Sequence, residues 1–292
     1  MAWQQFSVIT NEDTAPLLAD FFSDAGAVSV TYMDAEDQPI YEPAIGETVI
    51  WHNTEVIALF EGDTAPAKIK SLIHSHFDAS LLQNWRHEQV ADQAWERAWM
   101  EFYQPMKFAD RLWVCPTGQE HYEADCVCLT LDPGLAFGTG THPTTALCLQ
   151  WLASQDLTGK IVVDYGCGSG ILAVAAVLLG AKAAHAVDID PQALTATRDN
   201  AAKNKVADTI HCYLPEHFIP MQADVVIANI LAKPLIELSS AISCLVLDGG
   251  QLVLSGILAE QADAVMAAYA SSVTFAPPIQ QEDWVRLDGK KQ

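Results

Sequence analysis

Ile161-Val162-Val163-Asp164-Tyr165-Gly166-Cys167-Gly168-Ser169-Gly170-Ile171-Leu172-Ala173-Val174 joins two apolar runs through a turn with glycine at every second position. The first run is short and β-branched and reads as a buried strand, while the second continues to Leu179 and reads as a helix. Glycine at these positions permits backbone angles and a close approach that a Cβ would block, so the turn leaves room for a ligand. Working outward, strands are expected at His185 to Asp188, Thr209 to Leu214, Asp224 to Ile230 and Gly250 to Ser255, with helical stretches between them. Continuous apolar strands separated by helices argue for a mainly parallel sheet covered on both faces. Val273 to Phe275 and Trp284 to Leu287 are joined by a Pro-Pro loop too short for a crossover helix, and are expected as an antiparallel pair at the edge. The expected fold is α/β, a doubly wound seven-stranded sheet.

The glycine spacing also selects a ligand. A nicotinamide or flavin fingerprint, G-x-G-x-x-G, sets its third glycine one position later and holds a pyrophosphate at the helix N-terminus. Here the spacing is G-x-G-x-G, and Asp164 beside the turn would repel phosphate. A carboxylate suits a ligand with a cationic amine. S-adenosylmethionine carries a ribose diol, an ammonium and a sulfonium but no phosphate, and is the expected cofactor. The next strand ends in Asp188, close to the roughly 20-residue spacing at which an acidic residue meets a ribose hydroxyl. Asp164, Gly166, Gly168, Gly170 and Asp188 are therefore candidate cofactor contacts, and methyl transfer is the expected chemistry.

Two more stretches carry signals. Asp132-Pro133-Gly134-Leu135-Ala136-Phe137-Gly138-Thr139-Gly140-Thr141-His142-Pro143-Thr144-Thr145 sets glycines round one phenylalanine ahead of a helix start, as a loop able to close over a ligand would. His142 reads as a capping or surface residue. Asn229 ends the apolar strand Asp224 to Ala228 at the carboxyl edge of the sheet, where ligands bind in open α/β folds. Its amide carbonyl can accept a hydrogen bond from a substrate N–H and aim the nitrogen lone pair at a methyl group. Bland readings compete at each place: a ligand-free glycine turn, an ordinary capped helix entry, and a turn-forming Asn.

Residues 1 to 67 hold twelve Asp and Glu and no Lys or Arg, whereas 111 to 292 hold nineteen acids against ten bases. The net charge of −22 disfavours direct nucleic-acid binding through phosphate neutralisation. The longest strongly apolar stretch, Ile171 to Ala181, is about half the roughly 20 residues of a membrane span, and the N-terminus does not look like an export signal, so a cytoplasmic location is expected. Seven cysteines without a Cys-x-x-Cys pair suggest reduced thiols rather than disulfides or zinc, and no metal is expected. Before residue 90, Phe6 to Thr10 and Ala27 to Tyr32 read as strands around a helix at Ala15 to Ala25, apolar runs at Thr48 to Trp51 and Val56 to Phe60 precede a helical stretch at Ala67 to Phe77, and a last strand is expected near Trp85 to Val90; the order βαββαβ suggests a small ferredoxin-like α+β domain. Asp92 to Tyr103 is helix-compatible, with Trp95 and Trp99 sharing a face. Three segments are expected: 1–90 as a substrate-recognition domain, 91–115 as a linker with a helix, and 116–292 as the cofactor-dependent domain.

Pro133 to Thr145, the Asp164 to Gly170 turn, Asp188 to Pro191 and Asn229-Ile230-Leu231-Ala232 together resemble one family, the methyltransferases of protein L-eleven of the large ribosomal subunit. The resemblance runs nearly the whole length. It implies a class I methyltransferase fold, an N-terminal domain that recognises the substrate protein, free as well as on the subunit, and methylation of α-amino and lysine ε-amino groups. By position it implies Thr145, Gly166, Asp188 and Asn229 as cofactor contacts, with Phe137 and Gly138 in the covering loop. Alternatives from the residues alone are a methyltransferase of another protein, a small amine or RNA, and a non-catalytic cofactor-binding protein.

Overall fold

The computed structural model describes residues 2–36, 38, 48–91, 104–121, 123–132, 138 and 140–292. The chain divides into two compact units, Met1–Ala98 and Trp99–Gln292.

In the first unit, β1 (Ala2–Asn11), α1 (Ala15–Asp24), β2 (Ser29–Asp34), β3 (Asn53–Glu61), α2 (Pro66–His76) and β4 (Gln83–Ala91) follow one another. The sheet order is β2-β3-β1-β4, with every pairing antiparallel. β3 alternates half-buried and buried residues, which puts Val56, Ala58 and Phe60 on the face that meets Phe6, Val8, Leu18, Phe22, Ile69 and Ile73. Phe6 and Phe60 meet edge to face at 5.4 Å. Thr48 to Trp51 is not a strand. The Thr54 hydroxyl accepts from the Trp51 N–H and donates to the Trp51 carbonyl, so a side chain takes both backbone groups that a ladder would use. Glu12, Asp13, Asp20, Asp24, Glu61 and Asp63 are exposed.

The second unit begins with a small sheet, β5 (Met106–Phe108), β6 (Leu112–Cys115) and β7 (Val127–Thr130), antiparallel then parallel. Phe108, Leu112 and Val114, which the sequence reading assigns to a linker, lie in the main core with Leu129. The main sheet follows: α3 (Pro143–Ser154), β8 (Ile161–Tyr165), α4 (Ile171–Leu178), β9 (Ala183–Val187), α5 (Pro191–Lys203), β10 (Ile210–Tyr213), β11 (Ala223–Asn229), α6 (Ala232–Glu237), α7 (Ser239–Leu245), β12 (Val246–Leu258), α8 (Ala262–Tyr269), β13 (Val273–Phe275), β14 (Ile279–Gln281) and β15 (Trp284–Lys291). Its order is β10-β9-β8-β11-β12-β15-β13, with β14 paired only to β15. Pairings are parallel from β10 to β12 and antiparallel at β15. Seven strands form the continuous path, and the Pro-Pro connection holds a further short strand that the sequence did not signal.

Period-two alternation separates neighbours in each central strand. Val162 and Val225 join the core cluster with α3, α4 and α5, while Val163 and Val226 join the cluster with α6, α7 and α8. The expected helix between β10 and β11 is only a single 3-10 turn, Pro215–His217. Pro220, which lacks an N–H, stands just beyond it. No described helix is long and apolar enough to cross a membrane.

Candidate active site

The strand order reverses between β8 and β11, and the connections leaving their carboxyl ends therefore flank a crevice. On one side lies the glycine turn. Gly166, Gly168 and Gly170 have φ of 80°, 53° and 75°, the left-handed region that glycine enters without steric cost. Gly166 and Cys167 both donate to the Val187 carbonyl, at 2.7 and 3.1 Å, and Gly170 donates to the Cys167 carbonyl at 2.8 Å. α5 supplies the rest of the support. The Thr197 hydroxyl donates to the Gly168 carbonyl at 3.1 Å, and Asn200 Nδ2 donates to the Ser169 carbonyl at 2.8 Å. Neither Thr197 nor Asn200 carries a local sequence signal; each is a polar residue buried on the inner face of a helix.

Two carboxylates meet this turn in different ways. Asp188 is half-buried; its Oδ2 accepts from Gly168 N and its Oδ1 from Asp190 N, each at 2.9 Å. Asp190 in turn caps α5 by accepting from Gln192 N at 2.8 Å. Asp164 is fully buried. Its Oδ2 accepts from Ala173 N in the first turn of α4 at 3.1 Å, while its Oδ1 has no partner. Burial pushes the Asp164 carboxyl up to about 7, against the Ala173 bond, and the charge of Asp188 adds to the rise.

Asn229 ends β11 on the other side of the crevice, beside Ser255 of β12. Its Nδ2 donates to the Thr145 hydroxyl at 3.3 Å, and its buried Oδ1 accepts nothing. Thr145 is fully buried in the first turn of α3, which His142 caps by accepting from Thr144 N. The His142 ring meets the Trp284 ring edge to face at 5.0 Å, and burial holds the imidazole below its ordinary pKa. Gly138 belongs to the same assembly, because its carbonyl accepts from the Ser169 hydroxyl at 2.6 Å. The structure thus brings Gly138, Asp164, Gly166, Gly168, Gly170 and Asp188 to one loop, and Thr145 to Asn229. Phe137 and the rest of 133–137 lie outside the described residues, as do Trp95 and Trp99. Among the described residues no group of three or more His, Cys, Asp or Glu could hold a metal ion, and the seven cysteines are free thiols.

The family described as ribosomal protein L11 methyltransferase (PrmA) matches residues 2–292. The chain belongs to that family. A relative from Methylococcus capsulatus (strain Bath), named ribosomal protein L11 methyltransferase, is 53% identical over 291 residues and covers 99% of both chains. One of the same name from Pseudomonas putida (strain GB-1) is 51% identical over the full length of both. Among solved structures, ribosomal protein L11 methylase from Lactobacillus delbrueckii subsp. bulgaricus aligns with a TM-score of 0.59 at 29% identity, covering 65% of this chain and 99% of that one. As a member of the PrmA family the chain is a methyltransferase, with S-adenosylmethionine as its cofactor, and its β10-β9-β8-β11-β12-β15-β13 sheet is the class I fold.

Proposed function

We propose that this enzyme methylates α-amino and lysine ε-amino groups of ribosomal protein L11, free and on the large subunit, in the cytoplasm, and that the crevice between β8 and β11 is its active site. The observation that carries the reading is the buried, unpartnered Oδ1 of Asn229, an acceptor held open where ligands of this fold class bind. S-adenosylmethionine supplies an electrophilic methyl group on a sulfonium. The residues present fit it: Asp164 Oδ1 has no partner and suits an ammonium, Asp188 suits the ribose diol, and the three left-handed glycines shape the turn beside them. Asp188 keeps free lone pairs after accepting two backbone N–H groups, so it can hold the turn and the sugar together.

Only a neutral amine has a lone pair to donate. A lysine with pKa near 10.4 must be deprotonated at a cost of about 4.6 kcal/mol at pH 7, while an α-amine near 7.8 needs about 1 kcal/mol. Partial desolvation in the crevice and a nearby positive sulfonium lower both costs. Asn229 Oδ1 accepts one N–H of that amine and so directs its lone pair, which is catalysis by positioning. The Thr145 hydroxyl supports this by accepting from Nδ2, which fixes which end of the amide faces the amine. His142 is occupied as a helix cap and is not assigned as a base.

The acidic first unit supplies recognition. Ribosomal proteins are generally basic, and a surface without Lys or Arg through residue 67 attracts them and speeds encounter. The test is tritium transfer from labelled S-adenosylmethionine to purified L11 and to large subunits. Labelled L11 is expected with the native chain; label on RNA or on small amines alone would overturn the assignment.

A further inference from the structure

Ile230 directly follows Asn229 and lies between two glycines from different parts of the sheet. A Cβ built on Gly166 would stand 2.2 Å from Ile230 Cγ2. A Cβ built on Gly256 would stand 2.3 Å from the Ile230 carbonyl oxygen, 2.7 Å from its carbonyl carbon and 3.1 Å from its nitrogen. Both glycines have positive φ, 80° and 85°, so both are fixed by conformation as well as by space. Gly256 sits where the β12 register shifts between Leu254 and Ile257 against β15. Across that break the Ser255 hydroxyl donates to the Val285 carbonyl at 3.1 Å. Such a bulge re-aims the strand, and here it brings the β12 backbone against the turn that leaves β11.

We propose that Ile230 is a positioning residue: its backbone rests on Gly256 and its side chain on Gly166, so that it couples the turn carrying Asn229 to the loop that seats the donor. The inference rests on the reading of Asn229 and of the glycine loop given above. Ile230 need not touch the reacting atoms. A lone pair must be aimed to within an ångström of its line of attack, and a misplacement of that size lowers rates by about 100-fold. The contact with Gly256 is backbone to backbone, which no rotamer change relieves, whereas the contact with Gly166 depends on one methyl group.

Full-length variants test this with two readouts, turnover on L11 at saturating donor and calorimetric affinity for S-adenosylhomocysteine. Ile230→Ala is expected to lower turnover by about tenfold with affinity changed less than about threefold, and Ile230→Val, which keeps the methyl against Gly166, to stay within about twofold of native turnover. Gly166→Ala is expected to weaken affinity by about 100-fold, and adding Ile230→Ala to recover about tenfold of that loss, because the blocking atom is gone. Native turnover in Ile230→Ala, or no recovery in the double variant, would overturn the clasp. If Gly166→Ala does not fold, the Ala and Val pair at 230 decides alone. Asn229→Ala separates the two readings. Native turnover there would remove Asn229 from catalysis, while the affinity cycle between 166 and 230 still reports whether Ile230 is wedged against the loop.

Discussion

The glycine turn after β8 and the Asn229 turn after β11 leave the sheet side by side, yet they treat their polar groups differently. In the first, the N–H groups of 166, 167, 168 and 170 and the carbonyls of 168 and 169 find partners within the protein. In the second, Asn229 spends its amide N–H on Thr145 and leaves its carbonyl oxygen buried and open. The first turn is built as a rigid seat and the second is left unfinished for the substrate to complete. Leaving such a group unsatisfied costs about 1–3 kcal/mol, a loss that a bound amine N–H reverses.

The largest expected effect that would break this comparison comes from Asp188→Ala. It strips the acceptor from Gly168 N and Asp190 N, and S-adenosylhomocysteine affinity measured by calorimetry should fall by about 100-fold, the scale of one or two charge-assisted hydrogen bonds. Turnover at saturating donor should change far less, and an equal loss in both would blur the division of labour. Thr145→Val comes next. It frees the Asn229 amide to turn, and turnover should fall by about thirtyfold while donor affinity moves less.

A smaller effect concerns pH. Asp164 is raised to about 7, so as pH climbs from the ordinary carboxylate range through about 7 the buried group ionises and the ligand-free chain loses stability. The same ionisation creates the partner for the donor's ammonium. Calorimetry should show S-adenosylhomocysteine affinity rising by about tenfold from pH 6 to pH 8, and Asp164→Asn should flatten that rise. A flat native profile would separate Asp164 from the ligand. The smallest effect belongs to the acidic unit: KM for L11 should rise by a few-fold as salt is increased toward about 0.3 M, while S-adenosylhomocysteine affinity barely moves, since exposed charges are the ones salt screens.

How much of this was legible in the sequence follows from how local each feature is. The glycine turn, Asp188 and Asn229 each announce themselves within a few residues of a strand end. The ferredoxin-like order and the doubly wound sheet follow from periodicity and connection length, while the class I fold was implied by the family resemblance. Ile230 against Gly256 was not legible, nor was Arg286, whose buried guanidinium pairs with Asp288 and donates to the Leu147 carbonyl of α3 at 2.5 Å. The contacts of Ile230 with Gly256 and of Arg286 with Leu147 join residues far apart in the chain, and the first lies at a bulge whose place no local pattern marks. β5 and β6 are three and four residues long, too short for alternation to show, and so their stretch read as linker.

The most direct test is a single-turnover experiment in which native and Asn229→Ala chains, both fully loaded with S-adenosylmethionine, are mixed with excess L11 and quenched over time. The rate of methyl transfer from the loaded variant should be lower by about 100-fold, with donor still bound. Transfer at the native rate would mean that the open carbonyl of Asn229 takes no part in aiming the amine.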